Sequence, residues 1–275
     1  MTYGWSILII AVVLGALAYL GVFNPLYFAP KANSGSCQAF RPNGAGTSYD
    51  INLLGACNGE IPQYVANFQN QQLANVYSNN PFGFPSGNVF TIVAWIYPKT
   101  YGFQGIFSFG SGCNYNTATL LLWNGYLDYD GCGNNKGSNL LAPLNSWNFV
   151  AMSLSGNSVM FYLGGSNEGP YTLPYTPDIA PQSMYIGYDM EDPFSGYYMF
   201  NGLIADVQLY NSSLGQNSIT ALYQEGIGGA PIDLHNLVGW WPLNGNANDY
   251  SGNGNNGVPA NVVYTSSWIS SYNPP

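Results

Sequence analysis

The 275-residue chain sets four Lys or Arg against thirteen Asp or Glu, for a net charge of −9, and only 6% of it is charged while 16% is aromatic. So few cations exclude a nucleic-acid partner, because phosphate binding needs patches of Lys and Arg. The aromatic and β-branched content excludes a disordered chain, and a polar but uncharged surface of Asn, Gly, Ser, Gln and Tyr suits an extracellular protein.

The chain opens on an apolar run, Tyr3–Phe23, with no charged residue and with Asn24 and Pro25 after it to stop a helix. As a helix the run is about 31 Å long, roughly the hydrocarbon thickness of a bilayer. A cleaved secretory signal, a membrane anchor and a helix that leaves the bilayer to pack in a filament all fit. Ala16-Leu17-Ala18 has the small-x-small form of a cleavage site, but the first cation is Lys31, so the basic start of a signal is missing. Ala11 and Gly15, extended by Ala18 and Gly21, would let helices approach closely. Tyr3, Trp5, Ile9, Val12, Tyr19 and Phe23 would fill out the packing surface of a polymerising helix over residues 1–25.

Residues 26–61 have few periodic apolar positions and read as a neck. Four cysteines fall in two local pairs, Cys37 with Cys57 and Cys113 with Cys132. Outside the cell these would oxidise, and each loop of about twenty residues would gain about 3 kcal/mol in the chain-entropy model. Metal binding lacks a Cys-x-x-Cys motif or a His partner. Crossed pairings stay open.

From Pro62 onward, apolar runs of strand length alternate with Gly, Asn, Pro and Ser clusters. Phe90, Ile92, Ala94 and Ile96 share one face of a strand, and Gly156-Asn157 marks a hairpin. Leu203, Ala205, Val207 and Leu209 should face the core, with Ile204, Asp206, Gln208 and Tyr210 opposite them. One helix is expected near Gln216–Gln224, its stripe Ile219, Leu222 and Tyr223 and its stop Gly226. The fold class is mainly β: an N-terminal hydrophobic helix and then an antiparallel two-sheet sandwich over 62–275.

Chemistry is sparse. No pair of acids has the alternate spacing on one strand that some glycoside hydrolases use, and Asp189, Glu191 and Asp192 read as a solvated loop or part of a cation site. His235 has no oriented nucleophile, so no catalytic residue is assigned and the chain is expected not to be an enzyme. Tyr101, Phe103, Tyr197 and Tyr198 stand in turn-like contexts where aromatics stack on sugars. Asn211-Ser212-Ser213 is a glycosylation sequon.

Two resemblances add to this reading. MTYGWSILIIAVVLGALAYLGVFNP resembles the N-terminal helix of archaeal type IV pilin-like proteins, which implies a leader and a prepilin-peptidase site upstream. SCQAFRPNGAG and LLGACNGEIPQYVANF are similar, less specifically, to the neck of that group. FTIVAWIYP, IFSFG, SWNFVAMSLSGNSVMFYLGG, MYIGY and FNGLIADVQLYNSSLGQNSITALYQEG resemble the laminin G-like family of concanavalin A-like jelly rolls, in its order and spacing. That family implies a lectin-like sandwich and a structural Ca²⁺, for which Asp206 and Asp249 are the candidates; hydrogen bonding across the sheet and an Asx turn are their plainer uses. LVGWWPLNGNANDYSGNGNNG is similar to the family's opening strand, yet it lies near the C-terminus. A circular permutation would place this tail, with strand 237–243, beside Tyr64–Gln69; a truncated second repeat and a strand donated to the next subunit are the alternatives. The expected function is a subunit of an extracellular type IV pilus-like filament, inserted in the membrane before assembly into a homopolymer. Its lectin-like heads would bind surface glycans for adhesion. A membrane-anchored lectin-like protein that never polymerises is the alternative, and a concanavalin-like hydrolase comes third.

Overall fold

The computed structural model describes residues 61–69, 73–79, 81–111, 116–190 and 198–275. The expectations for the polymerising helix, the neck, Cys37, Cys57, Cys113 and Tyr197 lie outside them. Among the described residues no helix is long and apolar enough to cross a membrane.

Among the described residues there are fifteen strands, in chain order: β1 Val65–Phe68, β2 Asn75–Asn79, β3 Val89–Pro98, β4 Phe103–Gly110, β5 Thr117–Trp123, β6 Tyr126–Asp130, β7 Lys136–Leu141 and β8 Asn148–Ser155. After them come β9 Ser158–Leu163, β10 Ser166–Thr172, β11 Ser183–Ile186, β12 Gly202–Tyr210, β13 Leu237–Trp241, β14 Val258–Ala260 and β15 Val263–Thr265, with helix α1 at Gln216–Glu225. They form two antiparallel sheets. One runs β10-β9-β8-β3-β12-β1-β15 with β13 also on β12, and the other runs β14-β2-β11-β4-β5-β6-β7. The two inner faces share one core, to which β3 gives Phe90, Ile92, Ala94 and Ile96 as its alternation demands. Gly156 and Asn157 turn β8 into β9, with Gly156 at φ +66°.

Strand β3 is buried on its other face as well. Helix α1 and the C-terminal turn Ile269–Ser271 lie there: Trp95 stacks on Tyr223 at 5.9 Å and meets Tyr272 edge-on at 5.6 Å, and Trp268 packs on Trp147 at 5.5 Å. The helix ends where expected, at Gly226 with φ +73°, a conformation only glycine holds without strain.

Strand β12 corrects the expected alternation. Its core residues are Ile204, Val207 and Leu209, not Leu203, Ala205, Val207 and Leu209. The pairing with β3 shifts register between Ala205 and Gln208, and Asp206 sits there at φ +51°. A bulge adds one residue, so the period-2 pattern changes face across it.

The tail pairs within its own chain and lies beside residues 64–69 as expected, but through β15; the strand at 237–241 pairs with β12 instead. One edge of β12 receives β1 along Gly202–Ile204 and β13 along Val207–Tyr210, so these two strands follow one another along that edge. The flank of β1 is taken by β15. Near the junction the Tyr64 backbone N–H donates to Asn244 Oδ1 at 2.9 Å. Trp241 is fully buried, 5.7 Å from Phe107 and 6.2 Å from Phe84, and its indole N–H donates to the Asn255 carbonyl at 2.9 Å. Trp241→Ala should therefore lower stability by about 3–5 kcal/mol. Guanidinium denaturation of the intact protein measures this, and a loss below ~1 kcal/mol would show that the tail is not part of the core.

Candidate functional site: an aromatic ledge at one end of a sheet

The hairpin β5–β6 turns through Asn124 and Gly125, at φ +50° and +90°, the two-residue turn that matches strand twist. Leu122 and Leu127, directly paired, plug the core. Their neighbours Trp123 and Tyr126, also paired, must then stand on the opposite face. Register extends the row on both sides, with Phe103 of β4 opposite Trp123 and Leu141 of β7 opposite Tyr126.

The row is open to solvent. Trp123 is 50% exposed, Tyr126 42% and Leu141 39%, and Tyr101, 49% exposed, adds a ring at its side. A Cβ on Gly125 would come within 2.5 Å of the Tyr101 ring and 2.8 Å of Leu141, so the glycine lets both settle over the turn. Phe103 is half-buried between Trp123 at 5.4 Å and Tyr198 at 4.4 Å. Four of the thirteen exposed large apolar side chains among the described residues gather here, which isolated surface hydrophobics would not do.

One step along the strands the same face turns acidic and closed. Asp128 lies opposite Leu121 and Asp130 opposite Thr119, all buried. The backbone of Tyr188 and Asp189 crosses over this part: a Cβ on Gly105 would meet the Asp189 nitrogen at 2.3 Å. The Thr119 hydroxyl donates to Asp189 Oδ1 at 2.9 Å, and Ser108 donates to the Tyr188 carbonyl at 2.9 Å. Asp189 is thus buried rather than in a solvated loop; Glu191 and Asp192 lie outside the described residues. Burial, then the charge of Asp130, pushes the Asp128 carboxyl up to about 7, against the Lys136 backbone N–H and the Lys136 charge. At neutral pH this group can both donate and accept a hydrogen bond.

The two acids expected to hold Ca²⁺ do other work. Asp206 Oδ1 accepts the Trp240 indole N–H at 2.7 Å and a Gln208 amide N–H at 3.2 Å. Burial pushes its carboxyl up to about 6 despite these bonds and one from the Gly228 backbone. Asp249 accepts the backbone N–H groups of Trp240, Ser251 and Asn255 and the Ser251 hydroxyl, all at 3.0 Å or less. Oxygens already facing N–H and O–H donors do not fit a hard cation, which needs their lone pairs. Among the described residues, no group of three or more His, Cys, Asp or Glu side chains is placed to hold a metal. Both carboxylates instead tie β13 and the following loop to β12 through the two N–H groups of Trp240.

Asn211 is exposed at the corner after β12, His235 is exposed in the turn before β13, and Cys132 is disulfide-bonded. Of the sugar-stacking candidates, Tyr101, Phe103 and Tyr198 come together at the ledge. Trp123, Tyr126 and Leu141 were not anticipated. Their signal was Asn124-Gly125 between LLLW and YLDYD, where alternation across a two-residue turn puts Trp and Tyr on one face.

Residues 69–220 match the laminin G type 3 family model, described as the concanavalin A-like lectin/glucanases superfamily. No curated protein matches the chain. Among solved structures, a Bacteroides ovatus protein assigned to carbohydrate binding superposes with a TM-score of 0.56 at 17% identity, over 74% of this chain and 60% of that one. The heptameric SAP-like pentraxin of Limulus polyphemus gives 0.54 at 17% identity, over 74% of this chain and 94% of its own. At such identity these are likenesses of fold.

Asp128 and Asp206 are both raised above the ordinary carboxyl value near 3.8. The folded protein therefore keeps protons that the unfolded chain releases, and the stability this gives is full below about pH 4 and lost as pH rises to about 6 and 7. The melting temperature should be higher at about pH 5 than at about pH 8, and Asp128→Asn with Asp206→Asn should flatten the difference. Melts across that range check this; a melting temperature that rises towards pH 8 would contradict it.

Proposed function

The chain belongs to the concanavalin A-like lectin/glucanases superfamily, and from that premise we propose that its β-sandwich is a carbohydrate-binding head rather than an enzyme. The observation that carries this is the ledge. Sugars present C–H faces that stack on exposed rings, and Trp123, Tyr126 and Tyr101 offer such rings on a rigid hairpin end. The acids behind the ledge are buried, which favours binding over hydrolysis.

The chain further reads as a subunit of an extracellular type IV pilus-like filament, made in the membrane, with glycan-binding heads outside a core of packed helices. Supporting this are the uncharged run Tyr3–Phe23, its resemblance to archaeal pilin-like helices, and a surface poor in charge. The tail closing the sandwich in cis favours a circularly permuted head. A membrane-anchored lectin that does not polymerise keeps the same ledge. Electron microscopy of the producing cells distinguishes the two: filaments whose mass spectrum contains this chain support the polymer, and its confinement to the detergent-soluble membrane fraction supports the anchor.

For the ledge, Trp123→Ala should weaken binding to a responsive polysaccharide about tenfold or more, with melting unchanged. Phe82→Ala, at a residue 75% exposed outside the ledge, should leave affinity intact. Affinity electrophoresis on polysaccharide gels reads both, and equal losses in the two variants would remove the ledge from the site.

A further inference from the structure

Resting on the carbohydrate reading of the ledge, we infer that its ligand is a run of linked neutral pyranoses lying across the strands, not a single terminal sugar and not an acidic one. The length follows from register. Phe103, Trp123, Tyr126 and Leu141 occupy successive strands β4, β5, β6 and β7 as directly opposed residues. Neighbouring strands stand about 4.8 Å apart, so three steps make a strip of roughly 14 Å. That exceeds one sugar ring and suits a short run of them, each resting on the side chain of a different strand.

The charge preference follows from what borders the strip. None of its four side chains is charged, and the next positions on the same face of β6 are Asp128 and Asp130. Lys136, the cation beside them on β7, is held over the Tyr171 ring at 4.8 Å. Lys99, two residues before Tyr101, lies on none of the four strands that carry the row. On a chain of net charge −9, a uronate or sialyl group would meet like charge. A neutral sugar meets only uncharged side chains there.

Titration calorimetry of the intact protein with neutral gluco-, manno- and galacto-oligosaccharides of one to six units tests this, with oligogalacturonates and sialyllactose as the acidic arm. For the neutral series that binds, affinity should rise about tenfold or more from the monosaccharide to the trisaccharide and then level. Leu141→Asn, at the end of the strip, should lower trisaccharide affinity several-fold more than monosaccharide affinity; a merely structural role would lower all lengths alike. Monosaccharide binding as tight as the hexasaccharide's, or tighter binding of the acidic arm, overturns the inference while the carbohydrate reading stands. If no saccharide of either arm binds and polysaccharide gels show no retardation, both fall.

Discussion

Strand β12 has all nine of its residues buried, so no backbone N–H or C=O along it can turn to water, and both edges need partners. One edge is met by β3. The other is too long for β1, which has four residues, and β13 from the far end of the head completes it. The junction falls where β12 bulges at Asp206. The Asp206 backbone N–H donates to Pro242, just past β13, at 3.2 Å, while its carboxylate takes the Trp240 indole. The bulge that interrupts β12 thus also fixes the strand that completes it. A carboxyl is kept there in spite of its burial, because replacing it with an apolar group would leave the Trp240 indole N–H without its acceptor. Pairing β1 with β12, residues more than 130 positions apart, also gives the head a high contact order, the mark of slow folding.

Much of this was legible. Phe90, Ile92, Ala94 and Ile96 alternate without interruption, so their face could be read directly, and Gly156-Asn157 and Gly226 announced a hairpin and a helix end because each needs positive φ. The reading failed at β12 because nothing local marks Asp206 as a bulge: Ile204 and Val207 are both apolar, and one extra residue between them inverts every assignment on its N-terminal side. Trp241 could be recognised as part of a strand, but its partner could not, since sequence fixes neither the length of the β12 edge nor the vacancy that β1 leaves on it. Asp206 and Asp249 were cation candidates through the family resemblance, with hydrogen bonding as their plainer use; their donors are backbone, hydroxyl, amide and indole groups supplied only by the folded chain.

The ledge was missed for a related reason. Alternation assigns Trp123 and Tyr126 to the face opposite Leu122 and Leu127, yet it does not say whether that face is bare or covered. On β5 the outward residues Thr119 and Leu121 have no exposure at all, whereas Trp123 on the same strand and face is half exposed. The difference is made by residues 187–189, some 65 positions later, whose backbone crosses at Gly105, a position where any side chain would collide with it. Burial on this face is decided by a distant loop, and no pattern within β5 or β6 reports it.

That partial cover is the strongest argument that the ledge is a site and not unfinished core. The chain has a working way to shield this face: a glycine on β4, a crossing backbone, and hydroxyls at Ser108 and Thr119 that bond to it. It uses the device in the middle of the sheet and stops short of the hairpin end, where the residues left bare are a Trp, two Tyr and a Leu. Leaving such side chains in water forgoes roughly 25 cal/mol for each Å² of apolar surface kept exposed. Polar residues at these positions would carry no such penalty. Aromatic rings held in that position by paired strands and a two-residue turn lose little further freedom when a flat apolar face settles on them, which is the condition under which stacking contributes most to binding.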